Sequence, residues 1–336
     1  MNLHTLTITS AGVGIFFLGL TLLGEQMKQL TSSLKLSLLL KKYTKSSFLG
    51  GIAGVLLAAI MQKTFIITLL IANLRQGRMI SQKAAINLLN WGSVGSLLFL
   101  YFFLFDIRMI VLYMLSFLAI FLAFKRSGKP FYFIQALFAI SLMFYGLGLI
   151  NQGSQFLGQE GVVRDFFISC PYPLLLAFSF GLIFYFLSQS FLTVVILVIS
   201  FQSAEIMTLN QSLAALFGCN IGSGCMALFF SKSFQGQAKQ LMLYAGSSII
   251  LGSLIISFLI LIESHSNIVL IKGLSKKFSS SLHYELAHFL LLMRIIPCLL
   301  FSAILDKVPK ILDFLFPIKT FNEEDNLSSF VHLCPH

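Results

Sequence analysis

Apolar stretches recur along this chain from one end to the other, each long enough to reach across a lipid bilayer. They cover about 8–24, 48–72, 84–104, 107–124, 130–150, 170–200, 212–230, 240–262 and 284–305. A spanning helix needs on the order of 20 apolar residues, so the pattern leaves a polytopic membrane protein as the reading. Of the 336 residues, 57% are hydrophobic and only 10% are charged. Soluble domains carry about 25% charged residues, which excludes a water-soluble enzyme and a nucleic-acid-binding domain. No basic stretch precedes the first apolar run, so that run is expected to be a membrane segment rather than a cleaved signal. No Pro/Ser-rich linker interrupts the pattern, and a single all-α membrane domain is expected.

The net charge of +11 falls between the apolar runs, where cytoplasmic loops of membrane proteins collect Lys and Arg. The basic stretch 25–47 could also touch anionic lipid. The five cysteines are scattered and odd in number, without a CxxC pair, and indicate neither a disulfide framework nor a zinc site. His283 and His288 stand five residues apart; a helical metal pair needs four, so no metal is expected there. No serine-nucleophile motif appears, and no enzyme is expected.

The chain repeats itself. Phe17-Leu18-Gly19-Leu20 resembles Phe144-Tyr145-Gly146-Leu147, and Gln62 in Met61-Gln62-Lys63-Thr64 resembles Gln189 in Ser188-Gln189-Ser190. Ser93-Val94-Gly95-Ser96 resembles Asn220-Ile221-Gly222-Ser223. Gly19 and Gly146, Gln62 and Gln189, and Gly95 and Gly222 are each separated by 127 residues. Three matches at one offset predict two homologous halves: repeat 1 over 1–129 and repeat 2 over 130–262. A loop with a final transmembrane helix over 263–305 and a polar tail over 306–336 follow.

Parity decides their relative direction. If 48–72 crosses the bilayer once, four segments separate equivalent points and the halves are parallel; if it is a re-entrant hairpin, the halves are inverted. Lys41, Lys42 and Lys45 precede this segment, and Arg75, Arg78 and Lys83 follow it, so a hairpin places both clusters in the cytoplasm. The same threading puts Lys125, Arg126, Lys129, Lys232, Lys239, Lys307 and Lys310 inside. Only the loop 263–283, with Lys272, Lys276 and Lys277, dissents. Two inverted repeats are therefore expected, each with a re-entrant or broken-helix hairpin, about 48–72 and 170–200. Broken helices near the midplane are where transporters of this plan hold their substrate.

Gly218-Cys219-Asn220-Ile221-Gly222-Ser223 resembles the second Gly-Ala-Asn-Ile-Gly-Thr-Thr-like motif of the sodium/phosphate cotransporter family, the type II class with bacterial relatives. Gly14 to Gly19 with Gly24 to Leu30 resembles its opening helix, and Gly146-Leu147-Gly148-Leu149 the counterpart in the second half. The resemblance covers roughly 8–305. It implies a secondary transporter of inorganic phosphate or a similar oxyanion, with sodium as coupling ion and no other cofactor. It also implies an integral protein of a bacterial inner membrane, with lipids and a second copy of the chain as partners and no nucleic acid.

The family's Gln-Ser-Ser-Ser motifs read Gln62-Lys63-Thr64-Phe65 and Gln189-Ser190-Phe191-Leu192 here, and its first Gly-Ala-Asn-Ile-Gly reads Trp91-Gly92-Ser93-Val94-Gly95. Carried over residue by residue, the resemblance implies that Gln62, Thr64, Ser93, Gln189, Ser190, Asn220 and Ser223 bind substrate or ion. Polar side chains inside a bundle also serve as plain packing glue, which is the competing reading for each. Lys63 stands apart. An ammonium inside a membrane costs about 2.5–3.5 kcal/mol and by default marks function; the alternative is a snorkelling side chain. With hydroxyls lost from the motifs, the cation site is expected to be altered. The alternative from another class is a degenerate, non-transporting membrane protein that senses an anion or scaffolds partners.

Overall fold

The computed structural model describes residues 3–31, 40–61, 64–104, 108–124, 129–160, 162–266, 271–277 and 282–317. Among them no strand forms, as expected where lipid offers the backbone no hydrogen-bond partner and each segment must satisfy itself. The helices are α1 (Leu3–Thr31), α2 (Ser47–Met61), α3 (Thr64–Gln76), α4 (Gln82–Leu104), α5 (Arg108–Phe124), α6 (Lys129–Glu160) and α7 (Val162–Ser169). They continue as α8 (Pro173–Ser188), α9 (Phe191–Ser203), α10 (Leu209–Ser231), α11 (Gly236–Ser266), α12 (Lys272–Lys277), α13 (Leu282–Ala303) and α14 (Val308–Leu315). Among the described residues, five helices are long and apolar enough to cross a membrane: α1, α6, α10, α11 and α13. The protein is an integral membrane protein. On α5, Met109, Ile110, Tyr113, Phe117, Ile120 and Phe124 are all more than half exposed, an apolar stripe that only lipid covers comfortably.

The 127-residue offset read from three short motifs recurs in the helix ends. The α3 and α9 boundaries differ by that number at both ends, and so do those of α4 and α10. The apolar segment expected over about 170–200 is divided, since α8 stops at Ser188 and α9 starts at Phe191; the corresponding point of the first segment, between α2 and α3, lies outside the described residues. The second break is built locally. Gln189 takes a left-handed conformation (φ 51°) and its N–H returns to Tyr185 O, while the Ser190 hydroxyl accepts from Thr193 N and caps α9. Phe180 on α8 meets Phe201 on α9 at 5.7 Å between ring centroids, so the two arms double back on each other.

Glycines set the crossings. A Cβ at Gly54 would stand 2.5 Å from Leu88 O, and one at Gly181 would overlap Ala215 O, the equivalent pair 127 residues on. Hence α2 lies against α4, and α8 against α10, at backbone distance and running parallel. The first helices of the two halves also touch: a Cβ at Gly12 would meet Ile150 N at 2.7 Å, and one at Gly19 would meet Ala139 O at 2.8 Å. As α1 advances its neighbour in α6 recedes, so these two helices run antiparallel.

Helix α10 starts with a reciprocal cap, Thr208 and Gln211 bonding each other's backbone N–H, and Gln211 Nε2 also reaches Phe167 O at 2.8 Å. The lysine-bearing loop before α13 folds back on α11, where the Glu263 carboxylate accepts from the N–H groups of Ile271 and Gly273. The main apolar core joins α1, α6, α8, α9, α10 and α13 around Phe16, Met143, Val195, Leu216 and Phe289. A second joins α2, α3 and α4 to α11 and α14. Helix α14 is tied down by polar contacts: Gln240 Nε2 donates to Phe316 O at 2.7 Å and to Asp313 Oδ1, and Lys83 pairs with Asp306.

Candidate functional site

Where α4, the α8–α9 break, α10, α11 and α13 converge, they leave a cavity of about 70 Å³. That is room for on the order of five waters, the size of a small tetrahedral anion with a little to spare. Both halves contribute. Asn90, Ser93 and Ser96 come from α4; Gln189, Phe191 and Leu192 from the break; and Asn220 and Ser223 from α10.

The two halves line it with the same local bond. Ser96 Oγ donates to Ser93 O at 2.9 Å, and Ser223 Oγ donates to Asn220 O at 2.7 Å, one repeat apart. Ser93 Oγ likewise donates to Asn90 O at 2.6 Å. With their protons spent on their own helix, these hydroxyls offer lone pairs to the cavity. Asn220 Nδ2 donates to Ser253 Oγ at 2.9 Å, and its Oδ1 is buried without a hydrogen-bond partner. Asn90 is committed elsewhere: its Nδ2 donates to Cys298 O and Ser302 Oγ, both at 2.9 Å, fastening α4 to α13.

Of the residues read from the sequence, Ser93, Gln189, Asn220 and Ser223 meet at this cavity. Ser190 is buried beside it as the cap of α9. Gln62 and Lys63 lie outside the described residues, and Thr64 opens α3, with its backbone alone described.

Sequence reasoning missed Arg294. It sits in the middle of the α13 span, is only 8% exposed, and lines the cavity. Its guanidinium carbon stands 4.6 Å from the centre of the Phe191 ring, and its Nε is buried without a hydrogen-bond partner. Among the described residues no carboxylate pairs with it. The signal was available, since a lone arginine within an apolar run carries the same warning as Lys63. Helix α13 lies outside the 127-residue offset, so no second copy of the position marks it.

A cavity of this size, with oxygen acceptors from two equivalent helices and one fixed positive charge, can hold a small anion and a small cation together. A comparison with known families is consistent with that chemistry. The model described as Na+/Pi-cotransporter matches residues 15–152 and 164–275, so α13 lies beyond the matched stretches. No curated protein and no solved structure matches the chain. The matched stretches take in both halves and most of the chain, and the protein belongs to the Na+/Pi-cotransporter family.

Proposed function

We propose that the protein is a secondary transporter that carries inorganic phosphate or a similar tetrahedral oxyanion with sodium across a bacterial inner membrane. The observation that carries this reading is the cavity itself, lined at equivalent positions by Ser93 and Ser96 from one half and by Asn220 and Ser223 from the other. The lone pairs of those hydroxyls and the free Oδ1 of Asn220 suit a small hard cation, and Arg294 suits the anion. Gln62, Lys63, Thr64 and Ser190 complete the proposed set from the two hairpin breaks. The loss of hydroxyls at Phe65, Phe191 and Leu192, together with the arrival of Lys63, leaves an altered cation site.

The transport cycle we propose rests on two inverted repeats with re-entrant hairpins. Antiparallel packing of α1 on α6, whose ends lie close to one repeat offset apart, supports the inversion. The arms α8 and α9, of 16 and 13 residues, are about 24 and 20 Å long. Both fall short of a hydrocarbon core about 30 Å thick, which supports a hairpin that enters and leaves on one side. Single cysteines at Lys42 and Arg78, in a background without native cysteines, are then expected to label with a membrane-impermeant maleimide from the same, cytoplasmic face. Labelling from opposite faces would end the re-entrant reading.

Radiolabelled phosphate uptake into proteoliposomes tests the function. Uptake is expected to follow an inward sodium gradient and to fall to the background of empty vesicles when choline replaces sodium. A second reading, a non-transporting relative that binds an anion as a sensor or scaffold, draws support from Phe191 and Leu192, apolar side chains in a cavity wall where the resembled motif carries serine. Phosphate binding without uptake in either salt would select it.

A further inference from the structure

We propose that Arg294, delivered by α13 from outside the two halves, is the residue that binds the oxyanion, and that the ring of Phe191 positions its guanidinium. The inference rests on the oxyanion reading above and names its principal ligand. An arginine side chain at mid-membrane depth, more than nine-tenths buried and without an acidic partner among the described residues, is an expensive arrangement. The titratable side chains that act on its charge are Cys219 and Tyr185, a thiol and a phenol rather than carboxylates. Its Nε has no acceptor in the protein, and the cavity it lines is the place from which an acceptor could come.

The rest of the lining sharpens the case. Ser93, Ser96 and Ser223 spend their protons on helix carbonyls, and Asn220 spends an amide proton on Ser253. An oxyanion needs donors, and among the described residues that line the cavity the guanidinium fork is the charged one; its planar geometry suits two oxygens of a tetrahedral anion. Phe191 stands at 4.6 Å under the guanidinium, close enough for a cation–π contact that orients the fork without neutralising it. Its departure from the resembled serine thereby acquires a physical role, and α13 brings the charge to a cavity whose Ser93, Ser96, Asn220 and Ser223 come from α4 and α10.

Two properties separate this role from a structural one. An arginine kept for folding stabilises the empty protein, whereas one kept for an absent anion is a burden on it. The experiment measures inorganic phosphate affinity by calorimetry, in sodium, on the full purified chain, together with the thermal midpoint of each variant without phosphate. Arg294→Gln is expected to lose about a hundredfold in affinity, the weight of two charge-assisted hydrogen bonds, while its ligand-free midpoint stays at or above that of the unsubstituted protein. Arg294→Lys, which keeps the charge but not the fork, should lose about tenfold. Phe191→Leu should lose several-fold, and Phe191→Tyr should restore the affinity. If Arg294→Gln binds phosphate as tightly as the unsubstituted protein, or only lowers the midpoint, the inference is overturned while the transport reading stands. If Arg294→Gln does not fold, Arg294→Lys decides: a tenfold loss supports the inference and full affinity overturns it. A natural chain that binds no phosphate in sodium overturns both this inference and the oxyanion reading.

Discussion

Gly181→Ala is expected to leave little folded protein, although it adds one methyl group. The new Cβ would overlap the carbonyl oxygen of Ala215 on α10, and a backbone carbonyl in a helix cannot turn aside as a side chain can. Helices α8 and α10 would have to part along their whole contact, taking the Gln189 break and Asn220 with them. Overpacking a core costs about 1–3 kcal/mol when side chains can adjust; here the cost should reach or exceed about 3 kcal/mol, a large share of the 5–15 kcal/mol that holds a typical domain together. Gly218→Ala, which would overlap Phe178 O, should behave alike. Gly14→Ala and Gly148→Ala meet no atom within 4 Å and should be neutral or stabilise by up to about 1 kcal/mol through helix propensity. Monodisperse yield after extraction and the thermal midpoint check this; a Gly181→Ala protein that melts with the unsubstituted chain would refute the crossing.

Asn220→Ala should weaken ligand binding by more than tenfold while the fold survives. The amide oxygen it removes is buried, without a protein partner, at the cavity wall, and losing its ion–dipole contact with a bound cation should cost about as much as losing a hydrogen bond to a charged group, about 1.5–3 kcal/mol. Its Nδ2 bond to Ser253 is lost as well, but Ser253 Oγ keeps its own acceptor, Ile249 O at 2.8 Å, so no buried hydroxyl proton is stranded. The structural cost should stay near 1 kcal/mol. Ser223→Ala, which removes a lone-pair donor facing the same space, should act in the same direction. Because these oxygens accept rather than donate, both variants are expected to raise the sodium concentration needed for half-maximal phosphate binding more than they weaken binding at saturating sodium. Calorimetric titration of phosphate at several sodium concentrations makes the comparison. An unchanged sodium requirement in both variants would take these side chains out of the cation site.

Much of this architecture is written in one dimension. A bilayer acts on local sequence, so runs of apolar residues identified the helices. Gly19, Gln62 and Gly95 with their partners disclosed an offset of 127 residues that the ends of α3 and α9, and of α4 and α10, share. The break at Gln189–Ser190 was legible for a local reason too: a polar pair within an apolar run, able to cap the helix that follows. Ser93, Gln189, Asn220 and Ser223 could be named because each stands in a motif that either recurs or resembles a known one.

What the sequence could not carry is which polar atoms are already engaged. Asn90 and Ser93 both line the cavity from one helix, yet the Asn90 amide nitrogen is spent on Cys298 and Ser302 of α13 and the Ser93 hydroxyl proton on Asn90 O. Arg294 looked like one residue in a last hydrophobic helix until α13 packed against α4 and α11 and set it over Phe191. The sequence by itself determined a helical membrane protein and the place where one long apolar run breaks at Gln189–Ser190, since hydropathy and capping are local properties. The tertiary structure decided which donors and acceptors remain free and that the charge comes from outside the repeats. Those depend on where helices cross, and the crossings are set by backbone contact at glycines such as Gly54 and Gly181, between residues distant in the chain.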